Sequence, residues 1–206
     1  MDALGDWESY LHDPEPKLPA LVRCALVHYQ FETIHPFLDG NGRLGRLLIS
    51  FYLVERGVLS EPLLYVSSYL EERRPEYYER LQAVRQHGEF EAWIGFFLDA
   101  VRAQALDAAR RAEALLAILA EFRQRLRAAR VRGGAVELAE QLIANPYLTT
   151  SRAAKLLGVS YQGASYAIQR LVQARIVEDD GQLGAARLYL AREVLDVLEE
   201  PVAVPA

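Results

Sequence analysis

Apolar side chains recur along most of the chain at the three-to-four spacing of helices. Over "PALVRCALVHYQFETI" (19–34), Leu21, Val22, Ala25, Leu26 and Tyr29 share one face, and Pro19 suits a first helical turn, so a core-facing helix is predicted. Leu44, Leu47, Leu48 and Phe51 repeat with the same period until Gly57, which reads as a C-terminal stop; these four are the expected buried face of the next helix. From Arg74 to Gly134 the pattern is helical almost throughout, with a break near His87 and Gly88. Its later part carries a narrow stripe of Leu115, Leu119, Phe122 and Leu126, expected to pack within the chain rather than to form a dimer seam. Gly133 and Gly134 end the run, and the domain boundary is placed there.

Beyond that boundary the punctuation changes. One helix ends near Asn145 and Pro146, a second follows the capping candidates Thr149 to Ser151 and stops at Gly158, and a third is capped by Ser160 and runs to about Ala174. The short apolar runs "RIV" and "RLYL" flank a Gly-containing turn as a hairpin would. Helix, turn, helix, hairpin is the order of a winged helix-turn-helix. The fold class expected is thus an all-α core over 1–133 followed by a small α+β winged helix-turn-helix over 134–206, without internal repeats or low-complexity tracts.

Composition narrows the function classes. With 51% hydrophobic and 25% charged residues the 206-residue chain has a globular balance, and its net charge of -5 argues against coating nucleic acid by bulk electrostatics. DNA contact would have to be local: within 148–175 the charged residues are Arg152, Lys155, Arg170 and Arg175, with no acid among them. The single cysteine, Cys24, excludes an internal disulfide and reads as a small buried side chain. No apolar run approaches the ~20 residues of a membrane span, and the start lacks a signal stretch, so no membrane partner and a cytoplasmic location are expected.

One short stretch demands chemistry. "HPFLDGNGRLGR" (35–46) holds a histidine, an acid, three glycines, an asparagine and two arginines. With a helix starting at about Asn41, the N–H groups of Gly40, Asn41 and Gly42 are unpaired and the positive end of the helix dipole points the same way, which makes an anion site. Arg43 and Arg46 lie about 60° apart on the helix, and their planar forks suit phosphate. Asp39, beside phosphates, makes sense as an oxygen ligand to magnesium. His35 has the pKa range of a base for an attacking hydroxyl. His28, seven residues earlier, reads as a structural histidine.

The stretch from His35 to Arg46 matches throughout the Fic-family pattern His-Pro-Phe-x-Asp/Glu-Gly-Asn-Gly-Arg-x-x-Arg. "HYQFETIHPF" upstream and "LLYVSSYLEERRPEYYERLQAVRQHGEFEAWIGFFL" downstream also resemble bacterial Fic proteins that carry a C-terminal winged helix. The resemblance implies an all-α Fic core and transfer of AMP from ATP to a Ser, Thr or Tyr hydroxyl, of a target protein or of the chain itself. It implies His35 as base, Asp39 holding Mg2+, Gly40, Asn41, Gly42 and Gly45 with the phosphates, and Arg43 and Arg46 on the triphosphate. Tyr77 and Tyr78 fall on the adenine side or serve core packing. Relatives resembling the Doc toxin replace the second glycine-arginine pair and act as kinases, whereas Gly42 and Arg43 keep the AMP-transfer form.

Two departures set further expectations. The chain begins at Met1 where the family's β-hairpin flap would be ending, and no segment fits the inhibitory Ser/Thr-x-x-x-Glu-Gly/Asn pattern; "SYLEER" (68–73) comes nearest. Either an N-terminally shortened enzyme without that brake, or one whose missing part another chain supplies, is therefore expected. The rival reading is a DNA-binding regulator whose Fic core binds nucleotide without turnover. The appended domain is expected to dock protein, to form a homodimer, or to contact DNA.

Overall fold

The computed structural model describes residues 3–14, 17–184 and 186–200, with the backbone alone at Leu183. The chain is mainly helical, with one small antiparallel sheet towards its C-terminus. The described residues up to Ala108 form one compact unit, and those from Ala109 to Glu200 form a second.

In the first unit α1 (Ala3–Leu11), α2 (Ala20–Ile34), α3 (Asn41–Glu55), α4 (Ser67–Glu72), α5 (Arg74–His87) and the first part of α6 (Phe90–Ala128) enclose one apolar core. Pro19 stands just outside α2, at its N-cap, rather than in the first turn. Helix α2 is buried around most of its girth, and two indoles lock it: Trp7 of α1 donates to the Val27 carbonyl at 3.0 Å and Trp93 of α6 to the Ala25 carbonyl at 3.0 Å. Arg23 is buried and satisfied by Asp13 at 2.9 Å, by the Tyr52 hydroxyl at 3.2 Å and by the Tyr10 carbonyl. Its guanidinium also lies 4.4 Å from the Tyr10 ring centre, so α1 is held by charge as well as packing.

Helix α3 corrects one expectation. Its buried residues are Asn41, Gly45, Ile49, Ser50, Tyr52 and Leu53, while Leu44, Leu47 and Phe51 are 43%, 49% and 54% exposed. Periodicity reveals a stripe but does not say that the most apolar stripe faces the core. Gly45 decides it, because α2 approaches α3 where a side chain would stand: a Cβ on Gly45 would lie 2.4 Å from Glu32 Oε1 and 3.1 Å from Phe31. Helix α3 closes as expected, with Gly57 in the left-handed region (φ 68°) and the Val58 N–H reaching the Leu53 carbonyl at 2.9 Å.

The second unit contains the rest of α6, then α7 (Gly134–Ala144), β1 (Tyr147–Thr149), α8 (Thr150–Leu157), α9 (Tyr161–Gln173), β2 (Glu178–Leu183), β3 (Ala186–Leu190) and α10 (Arg192–Glu199). Thr149 caps α8 through the Arg152 N–H and Ser160 caps α9 through the Gly163 N–H, both at 3.2 Å. The strand order is β1-β3-β2, antiparallel throughout. "RIV" is not a strand: Ile176 and Val177 are buried in the core, and pairing begins at Glu178 opposite Leu190. "RLYL" lies within β3, and the edge strand β1 is too short to announce itself in sequence.

Helix α6 stops at Ala128, before the two glycines, because Arg130 takes a left-handed conformation (φ 53°) and the Val131 N–H returns to the Leu126 carbonyl. Phe122 and Leu126 of the expected stripe are buried in the second core, with Leu115 packed against it. These contacts put the division between the units inside α6, ahead of Gly133. Among the described residues no helix is long and apolar enough to cross a membrane.

Candidate active site

The loop between α2 and α3 is held by its own residues. His35 ends α2 in the left-handed region (φ 51°, ψ 57°), and its N–H closes the helix on the Phe31 carbonyl at 3.0 Å. Such a conformation strains a residue with a Cβ, and its occurrence at the motif histidine marks a position fixed by its surroundings. The His35 side chain is exposed. Asn41, buried to 2% exposure, folds back over the loop: Oδ1 accepts from the Phe37 N–H at 2.9 Å and Nδ2 donates to the Phe37 carbonyl at 2.6 Å. Its side chain is thus a clip for the loop, and only its backbone N–H is left to face a ligand.

Gly40 is the N-cap of α3 in the left-handed region (φ 84°), and no side chain caps this end. The first turn therefore opens with its N–H groups uncapped, as the sequence suggested, and presents the positive end of the helix. Both motif arginines lean back towards that mouth: Arg43 Nη2 lies 3.7 Å from where a Cβ on Gly40 would stand, and Arg46 Nη1 lies 3.3 Å from a Cβ on Gly42. Helical side chains tilt towards the N-terminus, which is why cations at the third and sixth helical positions reach the glycines. The Asp39 carboxylate, 93% exposed, meets Arg43 only at 3.4 Å. Such a pair contributes little and exchanges readily for a stronger partner.

Beneath the loop lies a buried polar chain. His28 Nδ1 is 3.0 Å from the Gly45 carbonyl and Nε2 is 3.0 Å from the Tyr77 hydroxyl. A carbonyl only accepts, so Nδ1 carries the proton and Nε2 accepts from Tyr77. Burial drives the His28 pKa down to about 4, against the raising effect of the Gly45 bond, and Arg46 lowers it further. Burial also pushes the Tyr77 hydroxyl well above the usual tyrosine range. His28 is accordingly a neutral structural histidine, and of the two roles open to Tyr77 core packing describes its position. Gly45, grouped with the phosphate residues by sequence, stands one turn into α3 against α2, where its missing side chain makes room for Glu32.

Tyr78 is on the surface and, with Glu32, His35, Leu81, Gln82 and Arg85, lines a cavity of about 490 Å3. Arg43 and Arg46 border another, of about 390 Å3, with Leu47, Phe51 and Tyr65. Glu32 is the residue the sequence did not single out. Its Oε1 is buried without a hydrogen-bond partner, and burial raises its carboxyl pKa, opposed by the nearby charges of His35 and Arg46. Among the described residues no three His, Cys, Asp or Glu side chains cluster as a metal site. Cys24 is buried and its thiol is pushed far up by burial, which removes it from chemistry.

The Fic/DOC family profile matches residues 1–53, which contain the whole loop and α2. The chain is 36% identical over 96 residues to a protein named protein adenylyltransferase Fic from Nematostella vectensis, covering 47% of this chain and 20% of that protein. It is 46% identical over 46 residues to a probable protein adenylyltransferase of Aquifex aeolicus, covering 22% of this chain and 14% of the other. This chain therefore matches a fifth or less of the length of these relatives. The crystal structure of a Fic family protein from Desulfovibrio desulfuricans G20 aligns with 91% of this chain and 54% of its own, at 22% identity and a TM-score of 0.48. The motif-bearing segment, residues 1–53, is thus the part of the chain that matches the Fic/DOC family.

Proposed function

We propose that the first unit is a protein adenylyltransferase, moving AMP from ATP to a Ser, Thr or Tyr hydroxyl of a target protein. The observation that carries this reading is the uncapped mouth of α3, with Gly40 and Gly42 bare and both guanidiniums folded back over them. Backbone N–H groups and two planar cations hold the triphosphate, as a helix N-terminus holds phosphate elsewhere. His35, anchored at the end of α2, takes the proton of the target hydroxyl. The hydroxyl oxygen then forms a bond to the α-phosphorus, the bond from that phosphorus to the bridging oxygen breaks, and pyrophosphate leaves with the electron pair.

Magnesium fits the donors here, since Mg2+ is held by one or two carboxylates together with substrate phosphates. Asp39 is the residue that would hold it, because its carboxylate is open and only loosely engaged by Arg43. When bound, the ion supplies charge neutralisation on the phosphate oxygens. Tyr78 and Gln82 border the cavity that also contains His35, which suits a nucleoside.

The second unit we read as a winged helix. Strand β1 leads into a helix pair, α8 and α9, joined through Gly158 and the Ser160 cap, and β2 and β3 follow to complete the β1-β3-β2 sheet. A DNA-binding role is disfavoured by the wing itself. Glu178, Asp179 and Asp180 stand exposed there, and they engage Arg187 and Arg192. An acidic wing repels phosphates, so a protein partner suits this surface better.

Intact-mass measurement after incubation with ATP and magnesium tests the transferase. The expected result is a gain of one AMP on the chain or on an added target, absent in His35→Ala; unchanged mass with lysate proteins as acceptors would reject the proposal.

A further inference from the structure

A carboxylate oxygen buried without a partner needs a reason, because its desolvation is costly unless something compensates. Glu32 carries such an atom. Its Oε1 is buried and unpartnered, wedged where a side chain on Gly45 would otherwise be. It sits three residues before His35, the left-handed residue that closes α2, and both line the same cavity. We propose that Glu32 is the positioning residue of the site: its carboxylate accepts the ring N–H of His35 and turns the other ring nitrogen towards the incoming hydroxyl.

A base that takes a proton through one ring nitrogen must hold its other N–H on an acceptor, or the ring and its tautomer are undefined. The imidazole is exposed, and Glu32 Oε1 has no hydrogen-bond partner. Catalytic hydrogen bonds commonly close only when substrate arrives. The groups facing Glu32 are His35 on its own helix, Arg46 from α3 and Tyr77 from α5, with Tyr78, Glu79 and Arg85 around the cavity. Glycine at position 45 acquires a second reason, since any side chain there would displace the carboxylate.

The inference rests on the proposed role of His35, and the test separates the two. In the full-length chain, the His35 ring is titrated by NMR, with its signal assigned by loss in His35→Ala, and AMP transfer is measured separately against pH. Glu32→Gln keeps the size of the side chain and removes the charge. We expect the His35 pKa to fall by about one unit, the acid limb of the kcat/KM profile to move down with it, and the plateau to drop ~10- to 100-fold at unchanged ATP affinity. Should that variant melt early, Glu32→Asp is read in the same way, with a fall of the same sign. An unmoved His35 titration in a folded variant overturns the inference even if activity drops. Absence of AMP transfer by the wild-type chain overturns the proposed function instead, and the titration still decides whether Glu32 governs the ring.

Discussion

Arg46 folds back along α3 until its Nη1 lies 3.3 Å from the place a Cβ on Gly42 would occupy. The glycine and the guanidinium thus share one small space at the helix mouth. A methyl group there moves the cation or fills the cradle. Because alanine is the better helix former by up to about 1 kcal/mol, Gly42→Ala should leave the melting temperature unchanged or raised. ATP affinity, measured by calorimetry, should fall ~10-fold, equivalent to about 1.4 kcal/mol.

Gly45→Ala should do the opposite. The added Cβ would meet Glu32 Oε1 at 2.4 Å inside the α2–α3 contact. Overpacking of that kind costs about 1–3 kcal/mol and outweighs the helix-propensity gain. Denaturant unfolding should report a lower midpoint, whereas an unchanged midpoint would mean that the helices yield freely.

Stability should decline in mild acid because of His28. Its folded pKa is depressed to about 4, so the native chain refuses a proton that the unfolded chain accepts near the ordinary histidine value of about 6.5. Nothing is lost above that value. As pH falls from about 6.5 to about 4, the unfolded state gains on the order of 3 kcal/mol, and His28→Gln should flatten the dependence. Tyr77→Phe removes the hydroxyl that donates to Nε2, and should cost about 1–3 kcal/mol and raise the His28 pKa by leaving an open acceptor.

Asn41→Ala should separate loop order from global stability. The two bonds to Phe37 are the clip that shapes the motif loop. Their loss should cost about 1–2 kcal/mol in unfolding experiments, whereas AMP transfer should fall by at least ~100-fold because the N–H cradle and His35 are no longer fixed together. Equal, small effects on both would contradict the role of the clip.

Much of the local structure was legible in the sequence where chemistry leaves few choices. Asn41 opens α3, Gly88 closes α5, and Ser160 caps α9, because capping and left-handed positions suit few residue types. The helix mouth was legible too, since glycines next to arginines at helical spacing have few structural uses. What escaped were relations between segments. The buried face of α3 depends on Gly45 meeting α2, and Leu44, Leu47 and Phe51 carry the same period on the exposed side. Glu32 escaped because an acid in a helix normally reads as surface; only packing against Gly45 buries its Oε1. Arg130 ends α6 in a conformation for which arginine gives no local signal.

The most direct test of the α3 mouth as a site for AMP transfer uses ATP labelled at either end of the triphosphate. Label on the α-phosphorus should enter protein in a manner that requires His35 and Arg46, and label on the γ-phosphorus should not. Incorporation of γ-label without α-label would make the chain a kinase and contradict the proposed chemistry.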